Sequence, residues 1–217
     1  MEDYKNGSKK VVELIEKAQK IAIVPSKVSG PDAFCAGVGL YYMLKEKEKN
    51  VSLVYTGRVP EGFEDLIKEE EITSDIFERN LVVSIDYSQT PAAKVHYSTE
   101  NDVLSLKIGP VDKNFRLDRV RSEIKGFEFD LVFTIGASEL EDFGQVYHEL
   151  ESEFQRAKIV NIDNTDYNSR FGSVSILDTL SDSLSLLVLQ ESVLWGLKVG
   201  KKAGKALLAG ITHREPK

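Results

Sequence analysis

Five short apolar runs recur along this chain, and the first, second and fourth lead into a stretch expected to be helical. That alternation constrains the fold more than any other feature. The runs are Lys20–Val24 (KIAIV), Val51–Tyr55, Leu81–Ile85 (LVVSI), Phe129–Ile135 (FDLVFTI) and Ala157–Ile162 (AKIVNI). Uninterrupted apolar runs of this length read as buried strands. Ahead of the first, Val11, Val12, Leu14, Ile15 and Ala18 fall at helical spacing. Pro31 opens the next helix, since its missing N–H is an orphan in a first turn anyway, and that helix carries Ala36, Leu40, Tyr41, Met43 and Leu44. Further helices are expected from Pro60 (PEGFEDLIK), over Glu139–Phe154, and over Leu184–Leu197 with Ser181 or Asp182 as its cap. A Gly-punctuated, Lys-rich helix closes the chain. Strand, helix, strand in this rhythm implies a parallel sheet with right-handed crossovers.

The rhythm breaks once. Lys94–Thr99 and Val103–Ile108 have alternating stretches on either side of Glu100-Asn101-Asp102, the pattern of a β-hairpin. The expected fold is therefore α/β: a doubly wound, mainly parallel sheet flanked by helices, with a hairpin inserted around 94–108. The expected organisation is one domain spanning 1–217. With 41% hydrophobic and 29% charged residues, the chain has the material for a sizeable core. No apolar run approaches the roughly 18 residues of a membrane span, and no signal peptide is visible, so the expectation is a cytoplasmic protein without membrane contact. Cys35 is the single cysteine, which excludes an intrachain disulfide and a multi-cysteine zinc site. A buried, inert thiol is expected there. A net charge of −7 argues against broad non-specific nucleic-acid binding.

Ligands of open parallel sheets bind beyond the carboxyl ends of the strands. Three aspartates are placed for that crevice: Asp86 ends LVVSI, Asp163 ends IVNI, and Asp32 follows Pro31 at the start of a helix. Converging carboxylates suit a hard divalent cation such as Mn²⁺ or Mg²⁺. The alternative is that each caps a helix or turn.

The spacing resembles the DHH phosphoesterase superfamily, which includes RecJ-type exonucleases and oligoribonuclease/pAp-phosphatases. The family opens with His-x-Asn-Pro-Asp-Gly-Asp-Ala-x-Gly-Ser between a strand and a helix, and the matching stretch is Val28-Ser29-Gly30-Pro31-Asp32-Ala33-Phe34-Cys35-Ala36-Gly37. An Asp ending a strand follows, as Asp86. The signature Ile-Asp-His-His-x-x-Asn-x-x-Phe-Gly is matched by Ile162-Asp163-Asn164-Thr165-Asp166-Tyr167-Asn168-Ser169-Arg170-Phe171-Gly172. Asp178, Ser181, Ser183 and the apolar helix fit the downstream pattern, and Ala206–Ile211 resembles its Ala-x-x-Leu-Leu-x-Gly-Ile segment.

In active members, the resemblance implies, His and Asp residues hold two metal ions that activate a water. Here Val28, Phe34, Asn164 and Thr165 stand at ligand positions, with Phe34 placing a ring where a ligand would point, and Arg214 lies near the place of a later Asp. His96, His148 and His213 fall elsewhere. The remnant catalytic and metal set is Asp32, Asp86 and Asp163, with Asn164, Thr165 and Asn168 as ligand-binding residues. The family's C-terminal substrate-binding domain is expected to be absent. The resulting expectation is a pseudoenzyme that binds a nucleotide, another phosphate ligand or a protein partner in the old crevice. The alternatives are a weak Mn- or Mg-dependent phosphoesterase acting on short oligonucleotides or pAp-like nucleotides, and a scaffold whose hairpin (Lys94 to Ile108) and C-terminal helix form a protein interface. The Lys-rich C-terminal region reads as a solvated face or a contact surface for phosphates. The apolar residues of the Leu184–Leu197 helix read as core or as a docking face for a homodimer through the C-terminal helices.

Overall fold

The computed structural model describes residues 2–74, 80–86, 94–109, 111, 113–125 and 129–213, with backbone alone for 2–6, 80 and 123–125. Arg214 lies outside the described residues. The chain divides into two compact units: residues 1–78 with 127–217, and residues 79–126.

The first unit is the expected doubly wound α/β layer structure. Helix α1 (Glu2–Lys17) leads into strand β1 (Ile21–Pro25), helix α2 (Gly30–Glu46), strand β2 (Val51–Val54) and the two-residue strand β3 (Ile72–Thr73). After the second unit come strand β8 (Leu131–Ile135), helix α3 (Gln145–Arg156), β9 (Lys158–Asp163), β10 (Val174–Leu177), α4 (Leu184–Leu194) and α5 (Lys201–Thr212). The six strands lie in the order β10-β9-β8-β1-β2-β3, and every pairing is parallel. Counted in chain order within this sheet, that is 3-2-1-4-5-6, and the order reverses between β1 and β8. Crevices of doubly wound sheets open at such a reversal.

Alternation along each strand feeds two cores. Ile21, Ile23, Leu131, Phe133, Ile135, Val160 and Ile162 point into one cluster, shared with α1, α2, α4 and α5. Ala22, Val24, Val132 and Ile159 point into the other, covered by α3 through Val146, Leu150 and Phe154. Residues Ala33–Leu44 of α2 are buried without a break, so this helix is wrapped on all sides, as a helix apolar all round must be.

The second unit is built from two antiparallel pairs. Strand β4 (Asn80–Ile85) pairs with β7 (Val120–Lys125), with Ser84 opposite Arg121 and Ile85 opposite Val120. Strands β5 (Lys94–Glu100) and β6 (Val103–Gly109) form the expected hairpin. Its two loop residues, Asn101 and Asp102, have φ of 49° and 62°, the left-handed pair of a type I′ turn.

Several expectations are corrected. LVVSI is a strand, but an antiparallel one outside the six-stranded sheet, with Leu81 and Val83 69% and 40% exposed. PEGFEDLIK forms turns and no helix. Gly62 takes φ of +86°, which interrupts any α run, while Phe63, Leu66 and Ile67 still reach the core. The Glu139–Phe154 segment breaks at Gly144 (φ 53°), leaving a 3₁₀ turn over Leu140–Phe143 before α3. The cap of α4 is neither Ser181 nor Asp182 but Ser183, whose Oγ accepts the Leu186 N–H at 3.2 Å. That helix ends at Leu194, with Trp195 and Leu197 buried beyond it and Val193 and Leu194 exposed. Phe34 is fully buried against Tyr55, with ring centroids 5.0 Å apart, and belongs to the core. Among the described residues, no helix is long and apolar enough to cross a membrane.

The packing of α5 against α2 and α4 is close enough to demand glycine. A β-carbon at Gly210 would overlap Ser185 Oγ and come within 2.7 Å of Asp32 Oδ1 and 2.9 Å of Cys35 Cβ. Helix propensity alone favours Ala over Gly by about 1 kcal/mol. Gly210→Ala is nevertheless expected to destabilise by about 1–3 kcal/mol through overpacking, read as a lower urea midpoint at unchanged slope.

Candidate functional site

The first unit brings two of the three sequence-nominated carboxylates to the carboxyl end of its sheet. Asp163 is the last residue of β9, and Asp32 sits in the first turn of α2 beyond β1. Asp86 directly follows β4 and belongs to the second unit.

Asp32 is bound by the start of α4. Its Oδ2 accepts the Leu184 N–H at 2.7 Å. Its Oδ1 accepts the Ser185 N–H at 3.0 Å and the Ser183 hydroxyl at 3.1 Å. The Ser185 hydroxyl returns a bond to the Asp32 carbonyl at 3.2 Å. The carboxylate therefore satisfies backbone donors that the first turn of a helix leaves without partners, and its charge faces the positive end of the helix dipole.

Asp163 is completely buried. Its Oδ2 accepts the Thr165 hydroxyl at 2.6 Å, the Asn168 amide at 2.7 Å and the Ser138 hydroxyl at 3.3 Å. Its Oδ1 accepts the Asn164 N–H at 2.9 Å. Asn168 is itself fully engaged: it also donates to the Ala137 carbonyl at 2.9 Å, and its oxygen accepts from Asn161 at 3.0 Å and from the Arg170 N–H at 2.8 Å. The Asn164 side chain donates to the Ser181 carbonyl at 2.9 Å, which ties this cluster to the loop leading into α4.

Between the two carboxylates lies the mouth of the sheet reversal. The Ser29 hydroxyl donates to the Gly136 carbonyl at 2.6 Å, joining the loop after β1 to the end of β8. Gly136 needs its φ of +71° and its missing side chain, since a β-carbon there would lie 2.7 Å from both Ser29 Cβ and Leu184 Cδ1. Lys27 and Val28 are exposed on this loop, and Thr165 is exposed beside Asp163. Ser29 and Ser183 lie within the motif stretches named from sequence, whereas nothing in their spacing marks Ser138 and Ser185, whose partners are distant in sequence.

A two-metal centre does not fit this donor set. A carboxylate offers about four acceptor positions, and Asp163 already receives four donors and Asp32 three. Val28 supplies no donor atom. Asn164 and Thr165 direct theirs into the protein. His148 is exposed on α3, and His213 stacks edge-on against Phe63 at 5.2 Å. Among the described residues, no group of three or more His, Cys, Asp and Glu lies close enough to hold an ion. Cys35, one turn beyond Asp32, is fully buried. Burial, with a smaller contribution from the Asp32 charge, pushes its thiol up to about 12.

The architecture is that of a doubly wound α/β domain with its polar cluster at the strand reversal. No family model matches the chain, and no curated protein matches it. Among solved structures it is similar to the crystal structure of an exopolyphosphatase-related protein from Bacteroides fragilis, with a TM-score of 0.65 and 16% identity. The match covers 95% of this chain and 49% of that one, so the chain spans about half the length of its structural neighbour. The two share a fold.

Two outcomes follow from this geometry. Asp163→Asn turns an acceptor into a donor facing donors, and Asp32→Asn does the same at the α4 amides. Each is expected to lower stability by about 1.5–3 kcal/mol in urea unfolding, whereas carboxylates that merely repelled one another would gain stability when neutralised. Cys35 is expected to react with a disulfide reagent at pH 8 only as fast as the protein opens, so that labelling accelerates sharply in denaturant.

Proposed function

We propose that this chain is a catalytically impaired phosphoesterase-like domain of DHH type, and that its crevice at the β1–β8 reversal binds a phosphate-bearing ligand of the nucleotide or short-oligonucleotide class. The observation that carries this reading is the occupation of both crevice carboxylates by protein donors. Groups that would activate water through metal ions here brace the loops instead, so the fold keeps the binding crevice and loses its catalyst. The fold shared with an exopolyphosphatase-related protein supports phosphate as the ligand chemistry. So does the start of the 17-residue helix α2, whose dipole favours an anion, with exposed Lys27 on the loop just before it.

Thermal unfolding tests it. About 1 mM Mn²⁺ or Mg²⁺ is expected to leave the melting temperature where EDTA leaves it, with no hydrolysis of bis(p-nitrophenyl) phosphate. A nucleotide at 100 times its Kd is expected to add about 2.7 kcal/mol, an increment reduced in Lys27→Gln. Metal-dependent turnover abolished by Asp163→Asn would instead establish a weak phosphoesterase. A melting curve unmoved by nucleotides would remove the ligand from the reading and leave a protein partner in its place.

A further inference from the structure

The second unit contains a cavity of a different character from the crevice. It measures about 660 Å³ and is lined by Ser84, Ile85, Asp86, Arg116, Asp118, Arg119 and Arg121. We propose that this cavity, walled by three arginines, is a binding site for a small molecule carrying a chain of phosphates.

The wall is held by backbone geometry. Ser84 and Arg121 are direct partners in the β4–β7 register, so both side chains lie on one face of that ribbon. Two residues further on, the Asp86 N–H donates to the Arg119 carbonyl at 3.1 Å, which fixes the end of β4 against the turn that opens β7. That turn spans Leu117–Arg119 and is closed by the Arg119 N–H donating to the Arg116 carbonyl at 3.2 Å. Arg116 and Asp118 form an ion pair at 2.7 Å, which orients one guanidinium at the rim. Three arginines from a six-residue segment thus line the cavity with two aspartates, one of them paired to Arg116, within a chain whose net charge is −7. Planar forks of this kind bind phosphate oxygens in pairs, and Arg is the residue suited to that geometry. The volume lies within the range of small-molecule sites and is large for a single phosphate ion. Asp86, nominated from sequence as a metal ligand, keeps the company of arginines here, which repel a divalent cation and attract an anion.

Titration calorimetry on the full chain tests the site with three probes: inorganic tripolyphosphate, ATP and adenosine. The two phosphate chains are expected to bind and adenosine to give no heat. Equal affinity for tripolyphosphate and ATP identifies the phosphate chain alone as the ligand, and tighter binding of ATP identifies a nucleotide; either supports the proposal. Arg119→Gln and Arg121→Gln are each expected to weaken binding at least about tenfold, with Arg121→Lys intermediate because it keeps charge and loses the fork. Unchanged far-UV circular dichroism and melting temperature establish that each variant folds, and Arg116→Gln replaces any variant that does not. Absence of binding by both phosphate chains overturns the proposal. So does affinity unchanged by the arginine substitutions. Binding lost in Lys27→Gln but intact in the arginine variants would place the ligand in the crevice, overturning this inference and leaving the proposed function standing.

Discussion

The bond network of Asp32 is the constraint on which the arrangement of the first unit turns. One carboxylate near the start of the chain holds the first backbone amides of a helix that begins more than 150 residues later. Hydrogen bonds to a charged group contribute more than neutral ones, and these two also satisfy donors that no intrahelical carbonyl can reach. Because Ser185 bonds back to the Asp32 carbonyl, the starts of α2 and α4 are locked in both directions. Helix α5 then closes over the junction, at a distance set by the bare backbone of Gly210. The rigidity of the crevice floor is the consequence. Its loops are positioned by protein–protein hydrogen bonds and require no ion to assemble them.

Asp163 repeats the arrangement at the end of β9, two strands from β1, with a difference in burial. A fully buried carboxylate is costly unless its oxygens are matched by donors, and four neighbours supply them. Thr165 and Asn168 serve in that shell and Asn164 links it to the next loop, so residues that would read as ligand contacts hold the carboxylate in place. Only the exposed side of Thr165 remains directed at solvent. The Asp163 carboxylate is thus held by hydroxyl and amide donors of the protein itself.

Much of this was legible in the sequence, for a physical reason. Strands β1, β2, β8 and β9 are largely buried on both faces, so their apolar runs announce them without any periodicity, and the placing of Asp163 at the carboxyl end of β9 follows from the parallel arrangement. The hairpin announces itself by alternation. LVVSI misled because an apolar run carries no information about its partner. β7 (VRSEIK) alternates polar and apolar residues, and once paired with it the run becomes half of an antiparallel ribbon. PEGFEDLIK failed at one residue, Gly62, whose left-handed φ outweighs the apolar spacing around it. Asn164, Thr165 and Asn168 were legible as neighbours of Asp163, though not as its donors, whereas Ser138 and the bonds from residues 183–185 to Asp32 were not, because only the fold brings them near. The arginine cavity was likewise hidden, since β7 was not read as a strand and Arg119 and Arg121 had no visible neighbours.

Charge distribution sets the last constraint on ligand binding. A chain at −7 repels anions on average, yet at physiological ionic strength that repulsion is screened beyond about 8 Å, so a ligand at the surface responds chiefly to the nearest side chains. The lysines of the C-terminal helix are partly engaged within the protein. Lys205 pairs with Asp65 at 2.5 Å, and Lys202 lies 4.8 Å from the Tyr42 ring centre. That engagement lowers their availability for an anion. Three arginines around one cavity, the arrangement on which the proposed anion site rests, would meet a phosphate chain at shorter range than the same charges strung along a helix face.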